Sequence, residues 1–206
     1  MLNETVVSII DDDPEFRHSL SVLILSMGIQ VRAYGSYDEF QLEFDQRLPG
    51  CILLDVRMPN ISGLAVQEKL KQYPLCPPVI MLTGHAEVAV ALKAFRSGVL
   101  DFLQKTFEEF ELRDAIQRAI ALDVERRAEH LRREQLASRL ALLSQAERKV
   151  LELVVEGHPN KKIAATLEVS RRAVEDRRAR LMQKLHVDNL PDLVKFAVSA
   201  GIAAPV

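Results

Sequence analysis

Apolar and polar positions alternate differently in the two halves of the chain. In the first half, short apolar runs occur at Thr5–Ile10, Ile29–Tyr34, Cys51–Leu54, Pro78–Leu82 and Val99–Leu103. Stretches of helical period lie between and after them, at residues 14–27, 36–47, 63–73, 86–97 and 107–122. Strands that alternate with helices predict a mostly parallel sheet covered on both faces. The expected fold class is α/β, a five-stranded doubly wound sheet, with candidate sites beyond the C-terminal ends of the strands. From Phe107 to Leu142 the chain has no Gly and no Pro, which predicts nearly continuous helix. In its charged part, Val124, Ala128, Leu131, Gln135, Ser138 and Leu142 follow heptad spacing. A solvated linker helix and a dimerising coiled coil both fit this stretch.

The pattern changes again after residue 142. Ser144 with Glu147 three positions on forms a capping box before an apolar-periodic run that stops at Gly157. Asn160 is a candidate cap for a helix at 161–168, and Ser170 for one at 171–184. A fourth helix, 191–199, stops near Gly201. The expected organisation is an α/β domain at 1–122, a linker helix at 123–142 and an all-α four-helix domain at 143–206.

Charge sharpens this division. Residues 1–122 carry a net −6 and residues 123–206 a net +4, within a whole-chain value of −2. An acidic half joined to a basic half suggests a metal or phosphate site in one and a polyanion partner for the other. No run of about 18 apolar residues occurs, so no membrane partner is expected. Met1-Leu2-Asn3-Glu4 lacks a basic segment leading into an apolar one, so no export signal is expected. Cys51 and Cys76 read as reduced thiols, and the expected location is cytoplasmic.

Three acids fall where two strands end: Asp11 and Asp12 after the first run, Asp55 after the third. Neighbouring parallel strands bring their C-terminal ends together, so these carboxylates should converge. Clustered carboxylates suit a hard cation such as Mg²⁺, which favours oxygen ligands and phosphate oxygens. Solvent-exposed loop acids are the plainer alternative. Thr83 and Lys105 end two further strands and add a hydroxyl and an ammonium. The set describes a phosphoryl-accepting site, with Asp55 as nucleophile and Lys105 neutralising the transferring group.

Asp11-Asp12-Asp13, Asp55-Val-Arg-Met-Pro-Asn-Ile-Ser-Gly63, Thr83-Gly-His and Gly98-Val-Leu-Asp-Phe-Leu-Gln-Lys105, in this order, resemble the receiver-domain signature. The resemblance implies phosphorylation of Asp55 and a Mg²⁺ (or Mn²⁺) held by Asp12 and Asp55 with Asp11 nearby. It also gives the metal the backbone carbonyl of Arg57. Thr83 and Phe102 occupy its switch positions, although Phe102 also fits as a core-facing strand aromatic. One departure is Thr106, where receivers usually carry Pro after the lysine. A cis bond to a non-proline residue costs about 2.5–4 kcal/mol, so a trans bond with a shifted loop, or a strained cis bond, is expected there.

The helix at 171–184 carries Arg171, Arg172, Arg177, Arg178, Arg180 and Lys184 against Glu175 and Asp176. It follows its predecessor through a short turn, which fits a helix-turn-helix. Val174, Leu181 and Leu185 share its core face, with Arg178 at the margin. A merely solvated charged face is the alternative. Leu143-Ser-Gln-Ala-Glu-Arg148, Gly157-His-Pro-Asn-Lys-Lys-Ile-Ala164, Val174-Glu175 and Met182-Gln-Lys-Leu185 resemble the LuxR-type DNA-binding domain. With the receiver, the chain is similar to NarL/FixJ response regulators, on the FixJ-like side. The recognition helix departs from that pattern at Ala173, Asp176 and Arg177. Lys161, Lys162, Arg177 and Arg178 are expected on DNA phosphates, and Arg171, Arg172 and Glu175 on base edges.

The function this implies is a two-component response regulator. A sensor histidine kinase would phosphorylate Asp55, the chain would form a homodimer on phosphorylation, and double-stranded DNA would be the target. RNA polymerase is a further expected partner. No enzyme activity beyond self-phosphorylation from a phosphodonor and autodephosphorylation is expected. A metal-dependent phosphatase shares the Asp nucleophile, but the haloacid-dehalogenase pattern wants a second Asp at position 57, where Arg stands. A receiver no longer switched by phosphate is the third reading, and Thr106 is its support.

Overall fold

A computed structural model describes residues 5–84, 92 and 94–202. In the first unit the elements are β1 (Val6–Ile10), α1 (Pro14–Ser26), β2 (Gln30–Tyr34), α2 (Tyr37–Glu43), β3 (Gly50–Asp55), α3 (Gly63–Leu70), β4 (Val79–Thr83) and β5 (Asp101–Gln104). Helix α4 (Glu109–Ala141) follows. The five strands are parallel in the order β2-β1-β3-β4-β5, the doubly wound sheet that the alternating pattern predicts. The helix expected at 86–97 lies mostly outside the described residues, although residues 94–96 are helical.

Each strand faces two ways, and the sheet therefore builds two cores. Val7, Ile9, Leu53, Ile80 and Leu82 meet α1 through Leu20 and Ile24, and α4 through Leu112, Ile116 and Ala119. Ile10, Ile52, Leu54, Val79 and Met81 meet Phe40, Val66 and Leu70 on the other side. All six residues of β3 are buried, as befits a central strand with helices on both faces. Gly50 opens that strand at φ +155°, and a Cβ there would sit 1.8 Å from the Val6 carbonyl oxygen. Only glycine lets β1 and β3 meet in this register.

Several boundaries differ from the sequence expectation. The run at 36–47 stays helical only to Glu43, because Phe44 turns extended and Asp45 bonds the backbone N–H and guanidinium of Arg47. The run at 63–73 is helical to Leu70, and the last helix of the first unit begins at Glu109. The fifth strand begins at Asp101, two residues after Val99. Contacts divide the chain after Ala128, so Asp123 and Arg127 lie with the first unit.

The second unit holds the end of α4 with α5 (Gln145–Val155), α6 (Asn160–Thr166), α7 (Arg171–Leu185) and α8 (Leu190–Ser199). Leu136 and Leu140 of α4 pack on its core of Val150, Leu151, Val154, Ile163, Val174, Leu181, Leu185 and Leu193. All six positions of the heptad stripe, Val124, Ala128, Leu131, Gln135, Ser138 and Leu142, are exposed. The capping box forms as expected: Ser144 Oγ accepts from Glu147 N at 3.3 Å, and Ser144 N donates to Glu147 Oε2 at 2.8 Å. Asn160 does not cap its helix. Pro159 precedes the first turn with no side-chain cap, and the Asn160 side-chain Oδ1 instead accepts from Arg178 at 2.7 Å. Ser170 does cap α7, accepting from Ala173 N at 3.1 Å. Ser170→Ala is expected to cost the second unit about 1 kcal/mol, read from thermal unfolding by far-ultraviolet circular dichroism.

Candidate functional site

The register Ile10↔Leu54 places the residues that leave β1 beside the end of β3. Asp11 is fully buried, Asp55 is nearly so, and Asp12 is exposed. One oxygen from each of the three lies within 4.8 Å of the others. Lys105 leaves β5 toward the same point. Its Nζ stands 2.7 Å from Asp11 Oδ2 and 3.3 Å from Asp55 Oδ2. Asp11 Oδ2 meets no well-aligned hydrogen-bond donor, so the contact with Lys105 is chiefly ionic. Thr83, buried at the end of β4, accepts the Lys105 N–H through its carbonyl oxygen at 2.7 Å.

The surrounding backbone fixes these side chains. Asp11 Oδ1 accepts from Asp13 N at 3.0 Å, and Asp13 in turn caps α1 through Glu15 N and Phe16 N. Arg17 reaches back from α1 and donates to the Asp11 carbonyl oxygen at 2.6 Å. Asp55 Oδ1 accepts from Arg57 N at 3.3 Å. Gly63 donates to the Val56 carbonyl, and a Cβ on it would lie 2.2 Å from the Asp55 carbonyl oxygen. The loop after Asp55 therefore closes only over glycine.

Electrostatics follow from this crowding. Burial pushes the Asp55 carboxyl above its ordinary range, and the neighbouring Asp11 adds to the rise; Lys105 and the Arg57 N–H offset part of it. Burial works against the Lys105 ammonium, but Asp11 and Asp55 outweigh it and hold its pKa above the usual value. Three carboxylates that converge with one face open at Asp12 make an all-oxygen donor set of the kind that suits Mg²⁺. The Lys105–Thr106 bond is trans, and Lys105 is nonetheless seated between the acids. Phe102 is half-buried against the second core, opposite Met81, and Thr83 lies two residues further along β4. The two expected switch positions thus share one face of the sheet.

In the second unit Arg171, Arg172 and Glu175 are exposed on α7, and Lys161 and Lys162 are exposed on α6. Arg177 is half-buried, and Arg178 is drawn into the bond with Asn160. Val174, Leu181 and Leu185 are buried, as the i+3/i+4 spacing predicts. Four groups that hold these sites together escaped the sequence reading: Phe16 and Arg17, the Asp123–Arg127 pair, and the tie from Glu147 to Lys184. Only the i,i+4 spacing of Asp123 and Arg127 hinted at contact.

Residues 7–117 match the family described as "Response regulator receiver domain", and residues 141–197 match "Bacterial regulatory proteins, luxR family". The chain belongs to the two-component response regulators. Among curated relatives, the transcriptional regulatory protein FixJ of Azorhizobium caulinodans is 40% identical over 200 residues, covering 96% of this chain and 93% of that one. Response regulator protein TodT of Pseudomonas putida is 37% identical over 191 residues, covering 93% and 84%. Among solved structures, response regulator StyR superposes with a TM-score of 0.88 at 34% identity, over 94% of this chain and 98% of that one. Full-length FixJ from B. japonicum gives 0.57 at 32% identity, over 98% and 99%. This response regulator therefore joins a receiver to a LuxR-type DNA-binding domain, which makes transcription regulation its role. Among the described residues no helix is long and apolar enough to cross a membrane.

Proposed function

We propose that a sensor histidine kinase phosphorylates Asp55 of this response regulator, and that the phosphoryl group controls dimerisation and sequence-specific DNA binding. The observation that carries the reading is the convergence of Asp11, Asp12, Asp55 and Lys105 at the C-terminal edge of the sheet. An Asp55 carboxylate oxygen attacks the phosphorus of a phosphohistidine. The new O–P bond forms as the donor P–N bond breaks, and the imidazole leaves after taking a proton from water. Asp11, Asp12, Asp55 and the Arg57 carbonyl would hold Mg²⁺ (or Mn²⁺). When bound, the metal neutralises charge on the transferring oxygens. Lys105 binds a phosphoryl oxygen, the Thr83 hydroxyl donates to another, and Phe102 turns inward as Thr83 moves.

The output follows from the basic helix. Arg171 and Arg172 stand in the first turn of α7, where no acid offsets them. Cations at a helix N-terminus oppose its dipole and cost about 0.3–1 kcal/mol each. The negative potential of a DNA groove repays that cost, since both the helix end and the guanidinium groups are drawn to it. Lys161, Lys162, Arg177 and Arg178 bind phosphates, whereas Arg171, Arg172 and Glu175 read bases. A homodimer joins two half-sites, and RNA polymerase is the further partner.

The test is intact mass after incubation with Mg²⁺ and acetyl phosphate. One phosphoryl group is expected on the wild type, none on Asp55→Ala, and none without divalent metal. Adduct retained by Asp55→Ala overturns the assignment.

A further inference from the structure

Lys105 brings its ammonium to the carboxylates of both Asp11 and Asp55, and it stands on a flexible stem. Its ammonium must stay near Asp55 while the acids beside it are claimed by a metal. What holds it besides those acids is an aromatic ring. Phe16, in the first turn of α1, lies with its ring centroid 4.6 Å from Lys105 Nζ. A cation over a ring face at this distance is attracted by the ring quadrupole. Phe107, two residues past Lys105, meets Phe16 edge-on at 6.4 Å and 66°. Both rings are half-buried against the first core. The backbone of Phe16 is itself tied to the site, through Asp13, which caps it and donates to Asp11.

We propose that Phe16 is a positioning residue for Lys105: its ring face, braced by Phe107, keeps the ammonium directed at Asp55. Attraction to Asp11 and Asp55 alone leaves the direction of the stem open, because a point charge binds carboxylates from many angles. The ring closes one of those angles. It also supplies an attraction that survives when a metal takes up the carboxylate oxygens. The kinetic consequence rests on the phosphoryl-accepting reading of Asp55; the placement of Lys105 does not.

Two readouts test this on the full chain. The first is the proton shift of the Lys105 ε-methylene, assigned through Lys105→Arg. A ring face this close moves it upfield in the wild type. Phe16→Leu restores the ordinary lysine shift, and Phe16→Tyr keeps the displacement. The second is the rate of adduct formation from acetyl phosphate with Mg²⁺. Phe16→Leu is expected to slow it about fivefold, equivalent to about 1 kcal/mol, while Phe16→Tyr stays within about twofold of wild type. Rescue by tyrosine separates a ring effect from loss of packing. An ordinary ε-methylene shift in the wild type overturns the proposal, as does a Leu variant that reacts at the wild-type rate. If no variant takes up phosphate, the reading of Asp55 fails instead, and the ε-methylene shift decides the placement of Lys105 alone.

Discussion

An Asp123→Ala chain is expected to lose about 3 kcal/mol of stability in its receiver unit. Asp123 is 2% exposed, and its Oδ2 accepts from Gly50 N at 2.8 Å and from Arg127 Nε at 2.7 Å. Removing the carboxylate strands a buried backbone N–H at the start of β3, which by itself costs about 1–3 kcal/mol. It also takes the counter-charge from Arg127, whose side chain is only 13% exposed. Arg127 keeps its bonds to the carbonyl oxygens of Gln46, Leu48 and Leu75, so the helix does not come away from the sheet. That retention is why the expected loss sits at the low end for a broken buried pair. The three tyrosines, Tyr34, Tyr37 and Tyr73, all lie in the receiver unit. Urea unfolding followed by tyrosine fluorescence therefore reports this unit alone. A change under about 0.5 kcal/mol, the range of an ordinary surface substitution, would contradict the assignment.

The same pair shows where sequence reading stops. A charged residue and its i+4 partner on a long polar helix look alike whether they face water or a loop. Nothing local to residues 123–127 announces that Gly50 and the carbonyls of residues 46–48 lie beneath them. The sheet was legible for the opposite reason. Its strands are short apolar runs, buried on both faces, and that pattern needs no knowledge of the partner strand. The acid site was legible because topology alone carries strand ends together, so Asp11, Asp55, Thr83 and Lys105 could be placed without any contact being known. Phe16 was not, because an aromatic in the first turn of an amphipathic helix reads first as core. Asn160 failed for a related reason. Its residue type suits a cap, but Arg178 is eighteen residues away and claims its oxygen. Local capping rules hold where no distant partner competes, as at Ser144 and Ser170.

Glu147 is expected to give the DNA-binding unit a pH-dependent contribution that a glutamine at this position lacks. The carboxylate is buried in the first turn of α5, and its Oε2 meets Lys184 Nζ at 2.7 Å, Ser144 N at 2.8 Å and Ser144 Oγ at 2.9 Å. The Lys184 ammonium, aided by the two Ser144 donors, overcomes burial and lowers its pKa from 4.5 to about 2. The folded-state value lies below the unfolded one, so the contribution is fully present above about pH 4.5 and is lost as pH falls toward about 2. Lys184 is 38% exposed, and water screens part of the attraction. Its size is therefore about 2 kcal/mol rather than the larger figure the shift alone implies. Glu147→Gln is expected to lower stability by that amount near neutrality. The gap between the two proteins then closes through the acid window, because the wild type loses what the variant never had. Thermal unfolding by far-ultraviolet circular dichroism at a series of pH values measures the gap directly, and a gap constant down to about pH 3 would contradict the mechanism. The pair also joins the start of α5 to the last turn of α7. Its loss should therefore loosen α7 at the end away from Arg171 and Arg172, and weaken DNA binding without touching a residue proposed to contact the DNA.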